Sequence, residues 1–390
     1  MDGSLDPPRS TCDIPPQMRT ILSGGRIGLV VFWGMAALCV GAPASHAACS
    51  APMRVMITRA SDSIPIEVDG RRRILKPSGK KGLAVDGVRV GRRWSVTPSR
   101  GARVRGLPLS GRLTAVRQAA DVVLVNEVPL EAYVAGAIGG EMPTGWSKAA
   151  LRAQAVASRS FAVHQREAHR HQLWDVESGT RSQVYSGRNP PKAAREAVRD
   201  TGCEVLLKGG RPILAAFHSA SGGRTASAAE VWGREVPYLV SVEVAGEEDS
   251  PDTYWRARIS RSTLARSLAE AGHSIGHLRE VQIEDRTPSG RVRWVVFRGS
   301  RGVKRLSGRE VRSVLGESTL RSTLFELRSG DDAFLFVGSG SGHGVGMSQW
   351  GARGMAAQGS NYREILKTFY PGTRLGMWAE GRQAALGAQD

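Results

Sequence analysis

Residues 128–163 read VPLEAYVAGAIGGEMPTGWSKAALRAQAVASRSFAV, and inside this stretch the hydrophobic period changes. Upstream, short β-rich runs at 55–57, 64–68, 88–90 and 113–125 alternate with Gly and basic turns, the signature of strands joined by tight connections. From Pro129 the spacing turns helical. A proline suits a first helical turn, and Leu130, Tyr133, Val134 and Ile138 fall on one face of a short amphipathic helix. Gly139-Gly140 predicts the end of that helix, with Glu141 just beyond it. Ser147 predicts the N-cap of a second helix running past Val163. Its alanines (Ala149, Ala150, Ala153, Ala155, Ala157) allow close approach by neighbours. Strands followed by Ala-rich helices make the expected class α+β, a unit of mixed strands and helices behind a β-rich N-terminal lobe.

Further along, a loop is expected at 174–191 and a helix at 192–199. Strands are expected at 203–217 and 236–245, on either side of Ser221-Gly222-Gly223. A helix near 261–271 and strands at 281–284 and 292–297 follow. A glycine-rich entry at 338–344 then leads into a last helix-bearing segment. The boundaries that result are a lobe at 48–128, a main domain at 129–375 and a loose tail at 376–390.

The 390 residues are 41% hydrophobic and 23% charged, ordinary for a globular chain, but 54 Lys+Arg against 36 Asp+Glu leaves +18. Such a surplus favours a polyanionic partner. The N-terminus narrows the choice. An uncharged apolar run at 27–40 follows Arg19 and Arg26 and precedes Ala-Pro-Ala-Ser-His-Ala-Ala, which together describe a secretory signal over 1–47. Met18 offers an alternative start. The run is short for a membrane span; left uncleaved, it would be the only membrane attachment. The expected location is therefore exported, in the periplasm or cell envelope. The polyanion there is an envelope polymer or membrane surface, not nucleic acid. Cys12 and Cys39 fall in the signal, while Cys49 and Cys203 remain and could pair in an oxidising compartment. Without Cys-x-x-Cys spacing no zinc site is expected.

Among carboxylates, Glu141 has the most suitable surroundings for acid chemistry. A helix C-terminus and the apolar Met142, Pro143 and Trp146 both favour its protonated form. Glu131, in a first helical turn, complements the dipole. Asp175 and Glu177 precede a polar loop, 178–185, suited to lining a groove. His218 stands beside Ser219, but adjacent strand residues face opposite ways, which argues against a serine nucleophile. His343 sits among glycines that let backbone approach a ligand. That segment lacks the Gly-Lys-Ser/Thr of a phosphate loop. His164, His169 and His171 read as an exposed helix end.

Several strings together resemble the SpoIID/LytB domain family (stage II sporulation protein D). They are 128–136 (VPLEAYVAG), Glu141-Met142-Pro143, 150–162 (ALRAQAVASRSFA), 182–187 (SQVYSG) and 216–225 (AFHSASGGRT). Glu230-Val231-Trp232-Gly233, Pro237-Tyr238-Leu239, 342–352 (GHGVGMSQWGA) and Tyr370-Pro371-Gly372 complete the set. The likeness covers roughly 53–375. It implies lytic transglycosylase activity on peptidoglycan glycan strands, cutting between N-acetylmuramic acid and N-acetylglucosamine with a 1,6-anhydro-muramic product. Glu141 falls on the family's catalytic acid, in a domain spanning 129–375. Gln183, Tyr185, His218, Ser219, Ser221, His343, Ser348 and Gln349 would then position sugars, with no metal or cofactor required. Ser160-Phe161 departs from the family's frequent Thr-Tyr, and the Asp-Thr-rich wording before Gln183 is only partly kept. Some relatives are associated with enhancing a separate amidase, so the alternative is a non-catalytic wall-binding modifier.

Overall fold

Alternation of apolar and polar residues builds the first eighty described positions into two antiparallel-rich sheets. The structure, a computed structural model, describes residues 52–180 and 182–379. The expected signal, Met18, Cys12, Cys39 and Cys49 lie outside those residues. One sheet has six strands, among them Ile64–Val68, Arg71–Ser78 and Ala102–Val104. In Ile64–Val68 the three aliphatic residues point inward while Pro65 and Glu67 face solvent. The other sheet has five strands, with Pro52–Ala60 paired to Asp121–Pro129 and the short Val176–Glu177 lying parallel on its outer edge.

Asp121–Pro129 delivers the chain into helix α1 (Leu130–Glu141), followed by α2 (Lys148–Ala168) and α3 (Lys192–Asp200). Later come α4 (Ala228–Trp232), α5 (Arg261–Glu270), α6 (Gly308–Leu315), α7 (Gln349–Ala357) and α8 (Tyr362–Phe369). Ser147 caps α2, its hydroxyl accepting from the Ala150 N–H at 3.3 Å. The alanines of α2 make it a spine between two cores. Leu151, Ala155, Phe161 and Ala162 join Ile64, Leu75, Leu113, Tyr133 and Ile138 in a first core. Ala153, Val156 and Ala157 join Ile213, Val345, Met347, Phe369 and Tyr370 in a second. The first core is thus continuous across residue 128, shared between the β-rich lobe and the helices that follow it.

A third core belongs to the stretch between Trp255 and Gly338. Two three-stranded sheets, with α5 and α6, enclose Leu264, Leu268, Val295, Phe297, Phe334 and Phe336. The mixed α+β character expected from the sequence is present throughout.

Three local expectations are corrected. Helix α1 does not stop at Gly139-Gly140; it runs through both glycines to Glu141. The stretch 236–245 is not a strand. It is an irregular segment held by Thr225 N–H to the Val242 carbonyl (2.9 Å) and Val244 N–H to the Gly223 carbonyl (3.0 Å). Residues 203–217 break into Glu204–Lys208 and Arg211–Pro212 at a Gly209-Gly210 turn, then an extended run. At the far end the chain stays in the fold past 375. Arg374–Met377 pairs antiparallel with Glu204–Lys208, and Trp378 is buried in the first core.

Candidate active site

The two glycines at the end of α1 serve close approach rather than termination. A Cβ on Gly136 would lie 2.6 Å from the Tyr185 ring, and one on Gly139 would lie 3.1 Å from the Ser186 hydroxyl. A Cβ on Gly140 would overlap the Val184 carbonyl oxygen. Segment 183–187 therefore rests on a glycine face of α1, fixed by the Ser186 hydroxyl donating to the Gly136 carbonyl at 2.7 Å. Glu141 is the last residue of that helix, and its Oε1 accepts the Val184 N–H at 2.5 Å. Burial pushes its carboxyl from an ordinary 4.5 up to about 7, against the opposing pull of that N–H. One carboxyl oxygen is anchored; the other is left for a proton.

Around this carboxyl the polar groups are internal. Tyr133 is fully buried, stacked on Tyr185 with centroids 5.4 Å apart, and its hydroxyl has no hydrogen-bond partner. Burial, and next the nearby Glu141 charge, raise the Tyr133 hydroxyl well above its usual value. Gln183 is fully buried and donates to the Ser158 carbonyl at 3.4 Å. Gln154 donates to the Ser158 hydroxyl at 3.0 Å, and Gln349 to Gln154 Oε1 at 3.4 Å. A chain of amides and one hydroxyl thus joins the start of α7 to the segment anchoring Glu141.

The other expected residues gather on the second core. Strand Phe217–His218 runs parallel to Met347–Ser348. His218 Nδ1 lies 3.2 Å from the Val345 carbonyl, so that nitrogen carries the proton; its buried Nε2 has no partner. His343 Nδ1 accepts the Val345 N–H at 3.0 Å, and its ring lies 5.6 Å from His218 and 5.7 Å from Trp232. Burial holds both imidazoles neutral, His218 well below its ordinary value and His343 at about 4. The Ser219 carbonyl accepts the Trp350 N–H at 3.0 Å.

What ties this group together is a residue the sequence did not single out. Buried Glu247 accepts from Ser221 N–H (2.8 Å), Ser221 hydroxyl (2.7 Å), Gly222 N–H (2.9 Å), Gly223 N–H (3.0 Å) and the Ser348 hydroxyl. Ser348 in turn caps α7 by accepting the Gly351 N–H at 3.1 Å. Ser221, Ser348 and Gln183 are fully buried. The Ser221 and Ser348 hydroxyls are spent on Glu247 inside the protein, while the buried Gln183 Oε1 has no hydrogen-bond partner. Glu247 opens the acidic run Glu247-Glu248-Asp249. Arg291, also buried, donates to the Ser221 carbonyl at 2.8 Å.

The competing carboxylates have other partners. Glu131 forms a two-pronged pair with fully buried Arg159 (2.8 and 2.6 Å), a stronger engagement than the expected dipole complement. Asp175 receives Arg54 N–H at 2.8 Å and Arg54 Nε at 3.0 Å, tying the loop to the first strand. His164 and His169 contact backbone carbonyls at 3.1 and 2.7 Å. Cys203 is disulfide-bonded, and Cys49, its expected partner, lies outside the described residues.

A partly buried carboxyl with a raised pKa at a helix end, flanked by a packed polar frame, marks the candidate site of this α+β protein. The family model described as stage II sporulation protein matches residues 118–207, and a domain of unknown function matches 228–346. An uncharacterized protein of Brachyspira hyodysenteriae is 31% identical over 304 residues, covering 77% of this chain and 81% of that protein. Stage II sporulation protein D of Bacillus amyloliquefaciens is 34% identical over 264 residues, 64% of this chain and 74% of that protein. An amidase enhancer of Bacillus subtilis is 30% identical over 286 residues, 62% of this chain and 40% of that larger protein. The chain belongs to the SpoIID (stage II sporulation protein D) family.

Proposed function

We propose that the protein is an exported lytic transglycosylase of peptidoglycan, with Glu141 as its acid and then its base. The observation carrying this reading is the Glu141 carboxyl, held near pKa 7 with one oxygen fixed on Val184. A carboxylic acid protonated near neutrality is what cleavage of a glycosidic bond needs. Glu141 gives its proton to the leaving N-acetylglucosamine oxygen as the bond to muramic C1 breaks. The resulting carboxylate takes the proton of the muramic C6 hydroxyl, whose oxygen closes on C1. The product is a 1,6-anhydro end, no water is consumed, and the carboxyl returns protonated. A hydrolase would need a second carboxylate across the bond, and Glu131, Asp175 and Glu247 are each engaged elsewhere.

The similarity to an amidase enhancer favours a second reading, a wall-binding protein that modifies a separate amidase without cutting glycan. One experiment separates the two. Purified protein is incubated with intact and with peptide-free glycan strands, and the products are analysed by mass. Anhydro-muramic ends that disappear in Glu141→Gln support the enzyme. Binding without cleavage supports the modifier, and free reducing ends would indicate hydrolysis instead.

A further inference from the structure

Five residues after Glu141 in the chain is one half of an aromatic corner that the proton transfers above do not use. This half, Trp146, lies in the connection between α1 and α2, where its N–H donates to the Pro143 carbonyl at 3.3 Å. Trp350 comes from the first turn of α7, one residue after Gln349, which is linked through Gln154 and Ser158 to Gln183, the neighbour of Glu141's partner Val184. The two indoles meet nearly edge to face, with centroids 4.8 Å apart. Arg353 lies over both, 4.9 Å from the Trp350 ring and 5.9 Å from that of Trp146. Asp249 holds Arg353 in place at 2.8 Å.

A tryptophan pair serving only as mortar between cores would be buried. Both residues keep part of their surface in solvent; Trp146 packs partly against the first core, whereas Trp350 belongs to none of the hydrophobic cores among the described residues. An indole face is electron-rich, and the axial C–H bonds on one face of a pyranose are electron-poor. Resting on the glycan reading of the site, we infer that Trp146 and Trp350 form the wall on which one sugar ring of the strand stacks next to Glu141. Arg353, pinned by Asp249, braces the two rings in that arrangement.

The test uses the whole protein carrying Glu141→Gln, so that strands bind without being consumed, and titrates peptide-free glycan by calorimetry. Trp350→Ala is expected to weaken binding about tenfold, the loss of one stacked aromatic surface. Trp350→Phe, which keeps a ring, retains most of the affinity, and both variants keep the parent's melting temperature. Trp146→Ala is expected to match Trp350→Ala; should it lower melting, Trp350 alone decides, since its ring is outside the cores. A Trp350→Ala protein that melts and binds like its parent overturns the wall. If the parent has no affinity for glycan, the glycan reading falls and takes the wall with it. If Glu141→Gln still cleaves, only Glu141's role falls, and the wall is read instead from a raised KM in Trp350→Ala at unchanged kcat.

Discussion

A carboxyl that ionises near pH 7 leaves two separate marks on pH behaviour. The first is on rate. Because the proposed reaction begins with Glu141 protonated, kcat/KM on glycan strands should fall about tenfold per pH unit above about 7, measured as product formed at low substrate. The second is on stability. The folded pKa stands above the unfolded one, so the protonated carboxyl's contribution is complete below about 4.5 and is lost as pH rises through about 7. Glu141→Gln removes that cost of ionisation. It should melt like the parent at pH 4 and be more stable at pH 8 by up to about 3 kcal/mol, read from denaturant midpoints. The raised pKa of the Glu141 carboxyl was legible from its apolar neighbours, because burial is what raises it. The role of its two glycines was not. Their contacts come from segment 183–187, and no local rule places that segment on α1.

Between elements, Glu247 gathers five hydrogen bonds. It joins the turn at 221–223 to the cap of α7, accepting one bond from a residue 101 positions away. Replacing it by Ala leaves three backbone N–H groups and two hydroxyls facing a buried gap. Glu247→Ala should destabilise the fold by about 3–5 kcal/mol, read as a lowered urea midpoint. Glu247→Gln recovers only part of this, because its NH2 places a donor where donors already converge. Sequence rules missed Glu247 for a physical reason. Helix and strand periods report neighbours three, four or two residues apart, whereas these partners are brought together by the second core. The same limit explains 236–245, whose hydrophobic content suggested a strand. Its bonds go to Thr225 and Gly223 at irregular intervals instead of along a ladder. Helix α2 was readable because both its cap and its alanines are local features.

Over the whole molecule, charge is distributed unevenly. Residues 52–128 hold 16 basic and 6 acidic side chains, so ten of the eighteen net positive charges sit in this β-rich lobe. Strand binding by the Glu141→Gln protein should therefore weaken by about tenfold between low and high salt for carboxylate-bearing glycan. For neutral oligomers of N-acetylglucosamine it should stay flat. A flat response for both would confine the charge to solubility. The α+β class was visible from the shift in period at Pro129. The third core was not, because strands and helices of 255–338 look the same whether they join the preceding core or close upon themselves. Only long-range pairing decides that, as Trp255–Ser260 against Ala333–Gly338 does here.

The strand at Arg374–Met377, with Trp378 behind it, has a consequence for how the protein comes into being. It completes a sheet with Glu204–Lys208, and the Trp378 N–H donates to the Cys203 carbonyl at 2.9 Å. The core begun by residue 53 therefore lacks its last wall until residue 378 has emerged. A chain made from its N-terminus must keep its opening lobe unsealed for most of its synthesis.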